Sequence, residues 1–268
     1  MFSVLLSVYC KEQVNNLSQC LDSILSQTLL PAEIILVKDG ALTKELDDII
    51  ELYCQKCHFL KPLSLPTNSG LGIALNEGLK HCSYDLVARM DTDDIAKSDR
   101  FDKQIEIFKN NPDIDIISSW IDEFKGDISN IISTRKLPET HNDIYRYAKS
   151  RNPINHPVAM FKKQSVLNSG GYKHFPLFED YYLWIRMLIN GCQFYNIQES
   201  LLFYRTSSDM FKRRGGLKYA HNEYLFQKQL RSLNFISTPE FVKNVSTRLI
   251  TRIVPNSIRE IIYKKILR

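Results

Sequence analysis

Short apolar runs alternate with segments of helical period through the first 120 residues, and nothing else in the sequence restricts the fold as tightly. Ser3–Val8 is a mostly apolar run between polar residues, the pattern of a buried parallel strand. Over 16–27, Leu17, Cys20, Leu21, Ile24 and Leu25 share one helical face. Residues 33–37 form a second apolar run, turned by Lys38-Asp39-Gly40. Residues 43–57 are helical, 58–63 a third strand and 70–82 helical again. A fourth strand over 85–90 ends in Asp91-Thr92-Asp93-Asp94. Such alternation predicts an α/β fold, a Rossmann-like, mainly parallel sheet flanked by helices. Right-handed crossovers set the ends of strands one, two and four along one edge, where ligands bind in such sheets.

Beyond about residue 112 the pattern is mixed. Strands are expected near 114–124, 130–135, 157–161 and 194–204, with helices near 140–150, 163–168 and 179–190. From 216 onward the chain is helical, punctuated by Pro239 and Pro255. The organisation expected is thus 1–112, 113–211 and a helical C-terminal extension over 212–268. That extension holds 13 Lys and Arg against 3 Asp and Glu, a net +10, which leaves residues 1–211 at −5. An acidic body with a basic end suits metal handling and an anionic surface, and argues against a nucleic-acid binder. The segments 241–254 and 257–268 mix apolar and basic residues. Two readings stand, a helix packed on the body and an interfacial helix on anionic lipid.

No run of about 18 apolar residues occurs, so no spanning helix is expected. The start lacks a basic lead and meets Lys11-Glu12 early, which predicts a cytoplasmic protein rather than a secreted one. Cys54-Gln55-Lys56-Cys57-His58 matches haem-attachment spacing and half a zinc site. Without export or a second Cys/His pair it is read as a helix end, and the six cysteines as free thiols.

Two acidic elements carry the chemistry. Asp91-Thr92-Asp93-Asp94 leaves a buried strand at the ligand edge, where clustered carboxylates repel unless a cation compensates. A hard ion such as Mn²⁺ or Mg²⁺ takes oxygen ligands of this type and shares its remaining positions with phosphates. Glu179-Asp180 opens a helix whose apolar face is Leu183, Trp184, Met187 and Leu188. Acids there favour the helix dipole, and one of them is also placed to act as a general base.

In order along the chain, these elements resemble the family 2 inverting glycosyltransferases, which have the GT-A fold. The resemblance is carried by Val4 to Tyr9 with Glu12, by Leu21 to Thr28, by Glu33 to Gly40 and by Asn68 to Leu79. It continues through the D-x-D after Arg89-Met90, Asn155-His156-Pro157, Gly170-Gly171-Tyr172 and Glu179-Asp180. Arg213-Arg214-Gly215-Gly216 with Tyr219 and Glu223 is similar to bacterial members that extend O-antigen or exopolysaccharide repeat units. Three positions depart from the family pattern. Lys38 replaces a frequent aspartate, Cys10 a frequent asparagine, and Ala74-Leu75-Asn76 lacks a frequent arginine.

The resemblance implies transfer of a hexose from a UDP-sugar, with UDP-Gal or UDP-Glc favoured, and inversion at the anomeric carbon. Asp93 and Asp91 would hold the metal. Tyr9, Glu12, Asp39, Asn68, Arg213 and Arg214 would join them around the nucleotide sugar. Asp180, with Glu179 beside it, would serve as the base, and His156 and Trp184 would meet the acceptor. The acceptor implied is a polyprenyl-diphosphate-linked GlcNAc or GalNAc, reached from the inner membrane face by a peripheral protein. The alternatives are a sugar-nucleotide nucleotidyltransferase, disfavoured because residues 9–16 contain no glycine to grip a triphosphate, and a non-catalytic carbohydrate-binding or scaffold protein.

Overall fold

A computed structural model describes residues 1–206 and 216–253, with side chains as far as Arg248. Three of the four expected early strands are buried and central. β1 (Ser3–Val8) pairs in parallel with β2 (Glu33–Lys38) on one side and β4 (Leu86–Arg89) on the other. β3 (Leu60–Ser64) pairs in parallel with β2 at the sheet edge, where Pro62 is exposed and its missing N–H costs no ladder bond. Helices α1 (Val14–Leu25), α2 (Lys44–Lys56) and α3 (Leu71–His81) link these strands. One core lies on each face of the sheet. Successive residues of β1 alternate between them: Val4, Leu6 and Val8 join α1 and α2, while Leu5 joins α3.

The later half is mixed, as the pattern after residue 112 predicts. A two-residue strand, β5 (Ile95–Ala96), precedes α4 (Arg100–Asn110). Then follow the long β6 (Ile114–Lys125), β7 (Asp127–Arg135) and α5 (His141–Ala148). β8 is only Met160–Lys162, because a 3-10 turn over His156–Val158 takes residues expected as strand. α6 (Lys163–Asn168), α7 (Glu179–Ile189) and β9 (Gln193–Arg205) complete this half. The sheet order is β3-β2-β1-β4-β8-β6-β9-β5, with β7 paired to β6.

β6 changes partner along its length. Ile116 and Ile117 pair with β8, whereas Ile121 to Lys125 pair with β7 on the same side. Asn155 spans the gap, its Nδ2 donating to the Ser119 carbonyl at 2.8 Å while Ser118 Oγ donates to the Asn155 carbonyl at 3.2 Å. The sheet forks there.

α8 (Leu217–Ser232) and α9 (Thr238–Ile253) pack on this body. Phe226 and Leu230 of α8 are fully buried and belong to the same core as Trp184 of α7. Pro239 falls in the first turn of α9, where a missing N–H is tolerated. For the helix read from 241–254, packing on the body is the outcome over the described residues, and 257–268 lies outside them. Cys57 is buried at the end of α2, and all six cysteines are free. Among the described residues, the one cluster of three or more metal-ligating side chains is acidic.

Candidate active site

β1, β2 and β4 end side by side, with Val8 opposite Lys38 and Leu5 opposite Arg89. The chain leaving β4 carries Asp91, Asp93 and Asp94, whose carboxylate oxygens lie within 4.8 Å of one another. Asp94 is wholly buried. One of its oxygens accepts from the Arg205 backbone N–H at 2.8 Å, and the other has no hydrogen-bond partner. Burial first, then repulsion from Asp91 and Glu12, pushes the Asp93 carboxyl up to about 7. Burial and repulsion from Asp93 raise Asp94 as well. Crowded hard oxygens, one of them buried and orphaned, fit a divalent cation.

Two contacts hold this turn in place. Glu12 accepts the Thr92 hydroxyl proton at 2.7 Å, tying the segment after β1 to the acidic turn. Arg205, at the end of β9, donates from Nε to the Asp93 carbonyl at 2.8 Å and from Nη2 to Gln19 at 2.5 Å.

Arg89 is the residue the sequence analysis missed. Its guanidinium is 1% exposed, donates to Asp91 from Nη2, and has no hydrogen-bond partner at Nε or Nη1. Each such orphaned donor costs about 1–3 kcal/mol. A charged residue closing an otherwise apolar strand was the available signal.

Across from Arg89, α7 presents Asp180 and Glu179 at its N-terminus. Asn152 Nδ2 donates to Asp180 at 2.7 Å, and burial raises the Asp180 carboxyl above its ordinary range despite that bond. Leu177, just before α7, has φ +75, a strained value for a bulky side chain at the entry to the acidic helix end. Burial raises Glu179 too; its side chain packs against Gly72 of α3. His156 Nε2 lies 2.9 Å from the Tyr172 hydroxyl, and burial together with the nearby Arg89 charge holds the imidazole well below its ordinary range. Asn76 receives the Tyr172 backbone N–H at 2.8 Å and donates to the Tyr172 carbonyl at 2.6 Å. Asn76, from the segment that lacks the family's frequent arginine, therefore clamps the Gly171-Tyr172 turn.

A cavity of about 790 Å³ is lined by Arg89, Asp91, His156, Tyr172, Glu179 and Asp180 among others, whereas Asp93 and Asp94 do not border it. Trp184 is the correction. It is wholly buried, borders the rings of His156 and Phe161, and does not line the cavity. One helical turn beyond Asp180, the same face of α7 has already passed into the core. Its indole supports His156 from beneath instead of meeting an acceptor.

Tyr9, Glu12, Asp39 and Asn68 do not border this cavity. Tyr9 is exposed just past β1. Asp39 is buried at the end of β2 and accepts the backbone N–H groups of Ser69 and Gly70 at 2.7 and 3.0 Å, while Asn68 donates to its carbonyl at 3.3 Å. Asp39 thus anchors the loop that starts α3. Gly40, at φ +83, is required beside it, since a Cβ would stand 2.6 Å from the Asn68 nitrogen. Arg213 and Arg214 lie outside the described residues.

The model of the glycosyl transferase family 2 matches residues 3–169. The chain belongs to glycosyltransferase family 2. This family 2 enzyme is 41% identical over 267 residues to the E. coli UDP-Gal:alpha-D-GlcNAc-diphosphoundecaprenol beta-1,3-galactosyltransferase, covering 100% of this chain and 96% of that one. It is 38% identical to the amylovoran biosynthesis glycosyltransferase AmsE of Erwinia amylovora, over 99% and 98% of the two chains. Among solved structures, S. aureus TarS 1-349 in complex with UDP-GlcNAc superposes with a TM-score of 0.64 at 15% identity, over 99% of this chain and 71% of that one. The mannosyltransferase PcManGT from Pyrobaculum calidifontis, in complex with GDP-Man and Mn²⁺, gives 0.64 at 14% identity, over 96% and 71%. These likenesses establish the GT-A fold for a hexosyltransferase of family 2.

Proposed function

We propose that this glycosyltransferase moves galactose from UDP-Gal, with inversion, to a hydroxyl of a polyprenyl-diphosphate-linked GlcNAc or GalNAc, in O-antigen or exopolysaccharide synthesis. The observation that carries the reading is one cavity bordered by both acidic elements, Asp91 from the β4 end and Asp180 from the α7 end. The full-length similarity to the E. coli galactosyltransferase supports the choice of donor and acceptor.

Asp91, Asp93 and Asp94 would hold Mn²⁺ or Mg²⁺, and the ion would supply positive charge to offset that of the leaving diphosphate. Asp39 positions the loop with Asn68 at the nucleoside end of the sheet edge, with Tyr9 and Glu12 between it and the acidic turn. Asp180 accepts the proton of the acceptor hydroxyl, whose oxygen attacks the anomeric carbon as the bond to the UDP oxygen breaks and its electron pair leaves with UDP. Asn152 holds Asp180, and Glu179 and His156 line the acceptor side. The protein meets its lipid acceptor as a peripheral protein on the cytoplasmic face of the inner membrane, with the basic C-terminal residues on anionic lipid. No helix among the described residues is long and apolar enough to cross a membrane.

UDP release is measured with Mn²⁺, a GlcNAc-diphosphate-lipid analogue, and UDP-Gal, UDP-Glc, UDP-GalNAc or UDP-GlcNAc. Turnover with UDP-Gal that Asp180→Asn and Asp93→Asn each lower by 10²-fold or more is expected. Turnover that survives Asp180→Asn removes the base assignment, and silence with every donor overturns the reading.

A further inference from the structure

The cavity is not uniform in charge. Near the sheet edge its acids are Asp91, Glu179 and Asp180. On the far side it is lined by Arg135, Lys136, Arg151, Lys243 and Arg248, with Glu223 among them. Arg135 is paired with the buried Glu123, and Arg248 with Glu223. Among the described residues this wall thus presents five basic side chains and one carboxylate, Glu223, to the cavity.

The fold brings Lys136, Arg151 and Lys243 together from distant parts of the chain. Lys136 follows β7 and sits 4.7 Å over the Trp120 ring, which fixes an otherwise exposed ammonium. Arg151 lies over the Tyr147 ring at 5.9 Å. Lys243 is on α9, beside Asn244, whose amide donates to the Lys149 carbonyl at 2.7 Å; Arg248 donates to the Ser150 carbonyl. α9 is thereby latched to the loop 149–152. That same loop carries Asn152, the residue bonded to Asp180. The basic wall begins one residue from the group that holds the base.

We propose that this wall seats the diphosphate of the lipid-linked acceptor, with Arg151 as the principal contact and Lys136 and Lys243 flanking it. The inference rests on the function proposed above. An acceptor hydroxyl presented to Asp180 belongs to the sugar whose anomeric carbon bears the diphosphate. Its phosphates therefore lie one hexose ring from the base, on the side away from Asp91. A diphosphate diester is a dianion, and a planar guanidinium between two ammonium groups matches it. The donor diphosphate has its own place at the acidic turn, so the two anions are bound at opposite ends of one cavity.

The test compares Arg151→Gln, Arg151→Lys and the double variant Lys136→Gln/Lys243→Gln with wild type on three acceptors, GlcNAc-diphosphate-decyl, GlcNAc-phosphate-decyl and decyl GlcNAc. On the diphosphate acceptor the Gln variants raise acceptor KM on the order of tenfold or more, with donor KM unchanged and Arg151→Lys intermediate. On decyl GlcNAc they match wild type. Wild-type behaviour of the variants on the diphosphate acceptor, or equal losses on all three, overturns the inference while leaving the transferase reading intact. Should wild type transfer to none of them, the function proposed above fails, and binding of sugar-free decyl diphosphate to the UDP-saturated protein decides this point separately. Weaker binding by the Gln variants upholds the basic wall, and equal binding overturns it. The double variant changes two exposed side chains and guards against a folding defect in Arg151→Gln.

Discussion

Asp93 and Asp180 are both acids held above the ordinary carboxylate range, and the difference in cause separates their behaviour. Asp93 is raised by burial and by like charge, to about 7 from an ordinary 3.8. The native state therefore binds its proton more tightly than the unfolded chain does. The stability this carboxyl contributes is present below about pH 4 and is lost as pH rises through 7. In a chelator, Tm is expected to fall between pH 5 and 8. Mn²⁺ should restore it strongly at pH 8 and little at pH 5, and a thermal-shift series that shows equal gains at both would count against a cation at this turn. Asp180 is raised by burial alone among its larger causes, and the Asn152 bond works in the opposite direction. Removing that donor in Asn152→Leu should move the acidic limb of the kcat–pH profile to higher pH; an unmoved limb would detach Asn152 from the base. The acids themselves were legible in the sequence because they interrupt apolar runs. The pairings of Asn152 with Asp180 and of Asn76 with Tyr172 were not, since the partners lie 28 and 96 residues apart and no local pattern records such a pairing.

Elements with a strong period were the easiest to read. β1, β2 and β4 follow from their apolar runs, and α7 from its acidic start and apolar face. β5, at two residues, has too little pattern to detect, and β8 is shortened by the His156-Pro157 turn. Trp184 exposes the limit of a helical period. It identifies a face, but not the depth at which that face leaves the cavity and enters the core. Two glycines separate packing from loop geometry. A Cβ on Gly78 of α3 would stand 2.4 Å from Leu5 Cδ1 and 2.6 Å from Val37 Cγ2. Gly78→Ala should cost about 1–3 kcal/mol of unfolding free energy by urea titration, with UDP affinity retained. Gly40→Ala strains the backbone and displaces the loop anchored by Asp39, so it should weaken UDP binding as well. Equal UDP affinity in the two variants would separate that loop from nucleotide binding.

For the whole molecule, the C-terminal helices are part of the body as far as they are described. Phe226, Leu230, Phe235 and Ile236 bury themselves with α7 in one core. A chain ended after Gly216, just before α8, should fail to fold cooperatively. A chain ended after Ile253 should keep its Tm and its UDP release but lose flotation with anionic vesicles; retained flotation would move membrane contact onto the body. The charge asymmetry was visible in the composition, whereas the docking of α9 beside Arg151 was not.

The forked sheet has a consequence for how such enzymes diversify. On the reading proposed above, β1, β2 and β4 build the donor side, β7, the loop 149–152 and α9 build the far wall, and Asn155 bridges the fork between them. Insertions or substitutions in the hairpin and the last helix can remodel which acceptor is admitted without disturbing the nucleotide side. On that reading, a change of polysaccharide structure calls for a reshaped acceptor wall and needs no new catalyst.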